Sequence, residues 1–306
     1  MTHSHQAYLL HAISPLHVGV GQAAGAIDLP IARLKGTHIP YIPGSGIKGV
    51  LRDALDGHPA HADIFGPKTD NASEHAGALI TADARLLLLP VRSLRGAFAW
   101  VTSPLLLSLA ARDLQLAGFK NIPHPAPSFH GRGAQVAAGS RVTHKPNGQR
   151  ERVTHKPNGQ RERVFLEDLS LQVQGTHGDA ATAWGDLLTK TLGFDGPELT
   201  ERLVIVDDDT MSFLWDTATQ IDQRVSIDHE TGTAKDGALW SEESLPAETV
   251  LISVLSATHT RRTGSELEAQ KITDAVLNHA KQAGALQFGG KATVGRGRCI
   301  IKPFQA

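Results

Sequence analysis

At 306 residues the chain has room for one large domain or two modest ones, and its 41% hydrophobic and 20% charged residues exclude disorder, collagen and a coiled coil as the overall class. Thirty basic residues against 31 acidic ones leave a net charge of −1, so a polyanion site has to be a local patch, not a uniform basic coat. A single cysteine, Cys299, excludes an intrachain disulfide framework and a multi-cysteine zinc site. It fits a reducing compartment, and with no basic leader and no apolar run of the ~18 residues a membrane span needs, the sequence places the protein in the cytoplasm, away from membranes.

Alternation predicts a first strand over 6–13. The next stretch, PLHVGVGQAAGAIDLPI from Pro15 to Ile31, is a glycine-spaced loop that ends with Asp28 between apolar neighbours. Either this carboxylate bonds its own backbone in a turn, which is the preferred local reading, or it is put to use with His17, eleven residues earlier. In YIPGSGIKGVLRDAL, Tyr41 to Leu55, a Gly-Ser-Gly turn with Ser45 as cap feeds a helix. Lys48 and Arg52, at i and i+4, share one face there, beside backbone N–H groups that attract anions. Two readings stand, a phosphodiester site and a solvated basic face. The spacing fails the Walker pattern G-x-x-x-x-G-K-[ST], which argues against a nucleotide-dependent enzyme.

A strand over 86–91 and a helix opened by Ser103-Pro104 and stopped by Gly118 follow, then a Pro- and Gly-rich stretch over 120–140 that reads as an inserted loop. The 11-residue unit RVTHKPNGQRE occurs at 141–151 and again at 152–162. Each copy carries an Asn-Gly hairpin signal, at Asn147-Gly148 and Asn158-Gly159. Across 141–163 seven basic residues face two acidic ones, a local charge of +5, read as a solvated basic loop or as an arm that touches RNA. Strands are predicted over 164–173, 202–206, 224–228, 250–257 and 298–302, and a helix over 266–283. Asp207 to Asp209 precede a short apolar run and read as a helix cap in preference to a metal site. Glu242 and Glu243, after Trp240, read locally as a surface turn. LQFGGKATVGRGRCI places Gly289, Gly290, Gly295 and Gly297 around Lys291, Arg296 and Arg298, either a loop where backbone approaches phosphates or a plain β-turn. Sixteen histidines show no metal-binding frame, and with 5% aromatics and no RNP pattern any single-strand binding relies on backbone contacts. Strands interleaved with helices predict an α+β or α/β core.

Taken in order, LHVGVGQAAGAIDLPI, HIPYIPGSGIKGVLRDAL, DARLLLLPVRSLRGAFAWVTSP, VIVDDDTMSFL, TGTAKDGALWSEESLP and FGGKATVGRGRC resemble the backbone subunits of type III-B CRISPR effector (Cmr) complexes, the repeated members of the RAMP superfamily. The resemblance spans nearly the whole chain. It implies an α+β fold, an RRM-like (ferredoxin-like) palm with finger-like and thumb-like insertions, here one domain over 1–306 with a loop or hairpin insertion near 120–163 and a thumb-like one near 207–248. It implies copies assembled head to tail along a CRISPR RNA, with other subunits of the complex, and cleavage of the complementary target RNA.

Carried over by position, Asp28 matches the family's catalytic aspartate, His17 a histidine beside it, and Glu242 an assisting acid. Ser45, Lys48 and Arg52 match the guide-binding helix, and Gly289, Gly290, Lys291 and Arg296 the glycine-rich RNA-binding loop. Ser244 stands where some relatives have tyrosine, and the tandem unit departs from the family pattern. The implied chemistry is phosphodiester cleavage by the target's own 2′-hydroxyl or by a metal-activated water. Asp28 would accept a proton or hold Mg²⁺ or Mn²⁺ shared with substrate phosphates. The alternative is a guide RNA-binding backbone subunit that does not cut.

Overall fold

The computed structural model describes residues 3–22, 25–67, 74–124, 129–144, 162–174 and 179–305. In chain order its elements are β1 (Ser4–Ala12), β2 (Tyr41–Ile42), α1 (Gly44–Ala54), α2 (His61–Phe65), β3 (Leu79–Thr81), β4 (Ala84–Arg92), β5 (Phe98–Thr102) and α3 (Pro104–Leu116). There follow β6 (Ala134–Val136), β7 (Thr143–His144), β8 (Arg163–Leu166), β9 (Leu169–Gln172), α4 (Asp179–Leu192), α5 (Glu198–Arg202), β10 (Leu203–Val206) and α6 (Asp208–Thr217). The last part holds β11 (Gln220–Ile227), β12 (Ala234–Ser244), β13 (Val250–Ala257), α7 (Ala269–Ala283), β14 (Leu286–Gln287) and β15 (Arg298–Pro303). The chain divides into two compact units, one of Met1–Leu86, Asp113–Lys120 and Thr219–Ala306, the other of Leu87–Arg112 and Asn121–Ala218.

In the first unit the strand order is β14-β15-β1-β13, antiparallel throughout, with β3 on β13 and β2 on the first residues of β4. β1 and β13 are buried along most of their length because they lie inside the sheet, with Tyr8 opposite Ser253 on one side and Pro303 on the other. α7 buries Ile272, Val276, Leu277 and Ala280 at helical spacing. Burying each large side chain contributes about 1.5–3 kcal/mol relative to exposure. α1 likewise buries Ile47 and Leu51. β11 and β12 form a separate two-stranded ribbon in which β11 alternates half-buried and exposed residues.

The second unit has the order β4-β5-β10-β6, with β10 parallel to β5 and antiparallel to β6, and a small antiparallel sheet β7-β8-β9. Here Asp207 caps α6, accepting from the Thr210 N–H at 2.9 Å and its hydroxyl at 2.7 Å, which is the role its position predicts.

Three local expectations are corrected. The single strand expected over 164–173 is a hairpin, because Glu167-Asp168 makes a two-residue turn with Glu167 at φ 48°. The loop expected over 120–140 contains β6, fully buried against β10. Ser45 is not the cap of α1. The helix begins at Gly44 with Pro43 as N-cap, and the Gly44 N–H donates to the Asp83 carboxylate at 2.8 Å. The strands β5 and β12 and the helix α4 had no counterpart in the periodicity reading. The two Asn-Gly turns lie outside the described residues; on either side of them Thr143 pairs with Val164 and His144 with Arg163. Of the segment 207–248, residues 207–218 belong to the second unit and 219–248 to the first. Among the described residues no helix is long and apolar enough to cross a membrane.

Candidate active site

The last residues of β12 organise the site, all of it within the first unit. One edge of β12 pairs with β11, and the other receives two chain segments. Leu16 and Leu245 exchange backbone hydrogen bonds at 2.8 and 2.9 Å, while the Leu29 N–H donates to the Ser241 carbonyl and the Glu243 N–H to the Leu29 carbonyl. The glycine-spaced loop is thereby folded back, with Gly19 bridged to Ile31, so that its two ends lie on one strand. The surface turn expected at Glu242 and Glu243 is thus a strand, and both side chains are buried.

Asp28 is exposed, and its carboxylate is held by one residue. Its Oδ2 accepts from the Ser241 N–H and from the Ser241 hydroxyl, each at 2.8 Å, and the Asp28 N–H donates back to Ser241 Oγ at 3.0 Å. The Ser241 backbone N–H, and after it the Ser241 hydroxyl, holds the carboxyl below the ordinary carboxylate range. Two residues along the strand, the Glu243 carbonyl lies 2.6 Å from His17 Nδ1. A carbonyl only accepts, so this contact assigns a proton to Nδ1, and in the neutral tautomer the lone pair then sits on Nε2.

The glycines around His17 follow from that ring. A Cβ on Gly19 would stand 2.6 Å from His17 Nε2, and a Cβ on Gly289, itself at φ 70°, would overlap the His17 carbonyl oxygen. The Gly290 N–H donates to that same oxygen at 2.9 Å. Gly289 and Gly290, expected as a phosphate-approach loop, are therefore shaped around the histidine segment.

Glu242 and Glu243 are both paired. Glu243, 1% exposed, takes two parallel bonds from Arg33 at 2.9 and 2.6 Å, one from the Ile31 N–H at 3.0 Å and one from the Thr219 hydroxyl at 2.9 Å. Burial, the largest influence, would raise its carboxyl. The Arg33 and Ile31 donors, the Arg33 charge and the Thr219 hydroxyl outweigh it, and the net shift is downward. Glu242 accepts from Lys291 Nζ at 2.7 Å and Trp240 Nε1 at 2.8 Å and pairs with Arg224 at 3.3 Å. Burial again pushes upward most strongly, yet these bonds and charges hold the carboxyl at about 2. Glu242, matched by position to an assisting acid, stands here as an ionised carboxylate that holds Lys291. Arg296, nearly buried, forms an ion pair with Asp222, which stands opposite Glu242 in the ribbon. Lys291 and Arg296, expected to meet RNA, thus have carboxylate partners in the chain itself.

The other expected cluster is not joined to this one by any hydrogen bond among the described residues. Lys48 donates to the Leu79 carbonyl at 2.9 Å and Arg52 to the Pro67 carbonyl at 2.8 Å, so they tie α1 to β3 and to the segment after α2. Burial, then the Arg52 charge, lowers the Lys48 pKa. Ser45 is exposed at the helix start, where the Asp83 carboxylate already takes one of the N–H groups expected to attract a phosphate. The sequence reading missed Ser241, Arg33 and Asp222. The signal available for Ser241 was the pair of strand neighbours either side of it, which only a recognised β12 would have supplied. As to a cation, no group of three or more His, Cys, Asp or Glu among the described residues is placed to hold a metal ion.

A mixed-sheet α+β chain with a serine-held aspartate and an oriented histidine on one strand now meets a family. The RAMP superfamily model matches residues 9–300, and the chain belongs to that superfamily. It is 33% identical over 300 residues to the CRISPR system Cmr endoribonuclease Cmr4 of Pyrococcus furiosus, covering 95% of this chain and 94% of that one. The crystal structure of oligomeric Cmr4 from the same organism superposes with a TM-score of 0.71 at 25% identity, over 99% of this chain and 98% of that one. A chain of the type III-B Cmr-beta complex bound to cognate target RNA has the same fold, with a TM-score of 0.68 at 18% identity over 98% and 97% of the two chains.

Proposed function

We propose that this chain is the repeated, RNA-cleaving backbone subunit of a type III-B CRISPR effector. Copies assemble head to tail along a CRISPR RNA with other Cmr subunits, and each cuts the guide-paired target RNA beside its Asp28. The full-length similarity to a Cmr endoribonuclease supports the class of reaction. The observation that carries the assignment to this chain is the exposed Asp28 carboxylate, held through one oxygen two strand positions from the residue that fixes His17. A cytoplasmic location goes with it, consistent with a buried free Cys299 whose thiol burial pushes up to about 12.

In the cleavage step the target's 2′-oxygen bonds to the adjacent phosphorus as the P–O5′ bond breaks. The 2′-hydroxyl loses its proton and the departing 5′-oxygen gains one, giving a 2′,3′-cyclic phosphate and a 5′-hydroxyl. His17 Nε2 carries the lone pair suited to accepting that proton. Asp28, ionised throughout the neutral range, has little proton affinity and acts through its charge, orienting the reacting nucleotide. One carboxylate is too few ligands for a metal site built by the protein alone. Mg²⁺ or Mn²⁺ fits here only as an ion shared with substrate phosphates, where it would neutralise developing charge. The guide is assigned to Ser45, Lys48 and Arg52 on α1 and to the exposed residues 292–295 of the 289–297 loop, whose Lys291 and Arg296 are held by Glu242 and Asp222.

Asp28→Ala in the assembled complex is expected to abolish target cleavage while guide binding and target pairing persist. Cleavage at the wild-type rate in that variant would falsify the assignment and leave a guide-binding subunit without catalysis. Loss of cleavage with normal assembly, and cyclic-phosphate ends in the wild-type product, support it.

A further inference from the structure

We propose that Ser241 is a positioning residue for cleavage: it clamps one oxygen of the Asp28 carboxylate so that the other is presented to the scissile phosphodiester. The proposal rests on the assignment of Asp28 as the reacting carboxylate. Three hydrogen bonds of 2.8, 2.8 and 3.0 Å join these two residues, 213 positions apart in the chain, and together they fix the side-chain torsions of an otherwise exposed loop aspartate. Both donors to the carboxylate, the Ser241 N–H and hydroxyl, converge on Oδ2, so Oδ1 is the oxygen these bonds leave open.

Ser241 is itself nearly buried and belongs to a strand, so it supplies what a loop cannot, a fixed reference for the carboxylate. The same three residues of β12 set the rest of the site. Glu242 holds Lys291, and the Glu243 carbonyl holds His17, so the register of Ser241 on the strand also fixes Asp28 against the histidine. The hydroxyl does two jobs that no aliphatic side chain can copy, donating to Oδ2 and accepting the Asp28 N–H. The backbone N–H bond survives substitution by alanine or threonine, which makes the hydroxyl's share separable by experiment.

The test compares Ser241→Ala, Ser241→Thr and Asp28→Ala in the complex assembled on its CRISPR RNA, measuring single-turnover cleavage and target affinity from pH 3 to pH 8, a range that reaches the ordinary carboxylate pKa. Removing a supporting hydrogen bond from a reacting group typically costs about 10- to 100-fold, and that loss is expected in the cleavage rate of Ser241→Ala with target affinity unchanged. Because the hydroxyl favours the ionised carboxylate, its removal lets Asp28 hold a proton to higher pH, so the acid limb of the rate profile moves upward. Ser241→Thr, which keeps the hydroxyl on a strand that tolerates β-branching, restores rate and profile. A wild-type rate and profile in Ser241→Ala beside an inactive Asp28→Ala overturns the role of Ser241 and leaves the function standing. An equal loss in the alanine and threonine variants, or a loss confined to target affinity, also overturns it. A wild-type rate in Asp28→Ala overturns the function itself.

Discussion

Removing the Glu243 carboxylate is the perturbation with the largest expected effect on the first unit. The Arg33 side chain is 11% exposed and the Glu243 side chain 1%, and the two parallel N–H···O bonds between them leave neither charge in water. Truncating one partner of such a pair strands the other, at a cost of about 3–5 kcal/mol. Glu243→Ala goes further than Arg33→Ala, because it also strips the Ile31 N–H and the Thr219 hydroxyl of their acceptor, and a buried donor left unmade costs about 1–3 kcal/mol. The expected order of destabilisation is therefore Glu243→Ala above Arg33→Ala. The double variant should fall short of their sum by about 1–3 kcal/mol, since the second removal relieves a charge the first left unpaired. Urea unfolding of the four proteins, followed by a signal from Trp240, measures each value and the coupling. A loss below about 1 kcal/mol in Glu243→Ala, or strict additivity in the double variant, would show that the pair is solvated and does not hold residues 31–33 to β12.

Glu242 makes acid stability a second readout. Its folded pKa of about 2 lies below the ordinary 4.5, so its contribution, at most ~3 kcal/mol, is complete above about pH 5 and is lost as the pH falls toward 2. Glu242→Gln should flatten the stability curve in that window, and an unchanged curve removes the Lys291 pairing from the account. Gly289→Ala places a Cβ on the His17 carbonyl at a positive φ and should depress cleavage strongly, whereas Gly290→Ala meets only His17 Cδ2 at 3.6 Å and should be mild; equal effects in the cleavage assay contradict the packing argument. Lys48→Ala with Arg52→Ala should weaken guide binding and lower its salt slope by about 0.7 for each guide phosphate no longer neutralised. A lower melting temperature with an unchanged slope would confine both side chains to holding α1.

Elements whose evidence is local were legible in the sequence. β13 runs from Val250 to Ala257 as its apolar run predicts, α3 ends before Gly118, and Asp207 caps α6. β12 was not legible, because in AKDGALWSEES the two glutamates that read as solvent-facing are buried, and each finds a partner far along the chain. Glu243 meets Arg33 across 210 positions and Glu242 meets Lys291 across 49. Composition and periodicity carry no record of such pairings, so a local reading of paired acids defaults to a surface turn. Asp28, His17 and Glu242 came from the order of six motifs along the chain, not from their own spacing, and the residue that holds Asp28 stayed hidden with the strand that carries it.

The glycines show the same limit from another side. A glycine records that a Cβ has no room at its position, not what occupies the space. At Gly44 the occupant is the Thr81 carbonyl and at Gly289 the His17 carbonyl, each on a distant part of the chain, while at Gly19 it is the ring of His17 two residues away. A phosphate cradle and a slot for a histidine leave the same letters in FGGK and HVGVG, because both require a missing side chain. What separates them is the neighbour, and the neighbour is a property of the fold. The His17 segment, enclosed by glycines from both ends of the chain, therefore ties the 289–297 loop to the cleaving group, so a substitution at Gly289 reports on catalysis through His17 even where guide affinity is untouched.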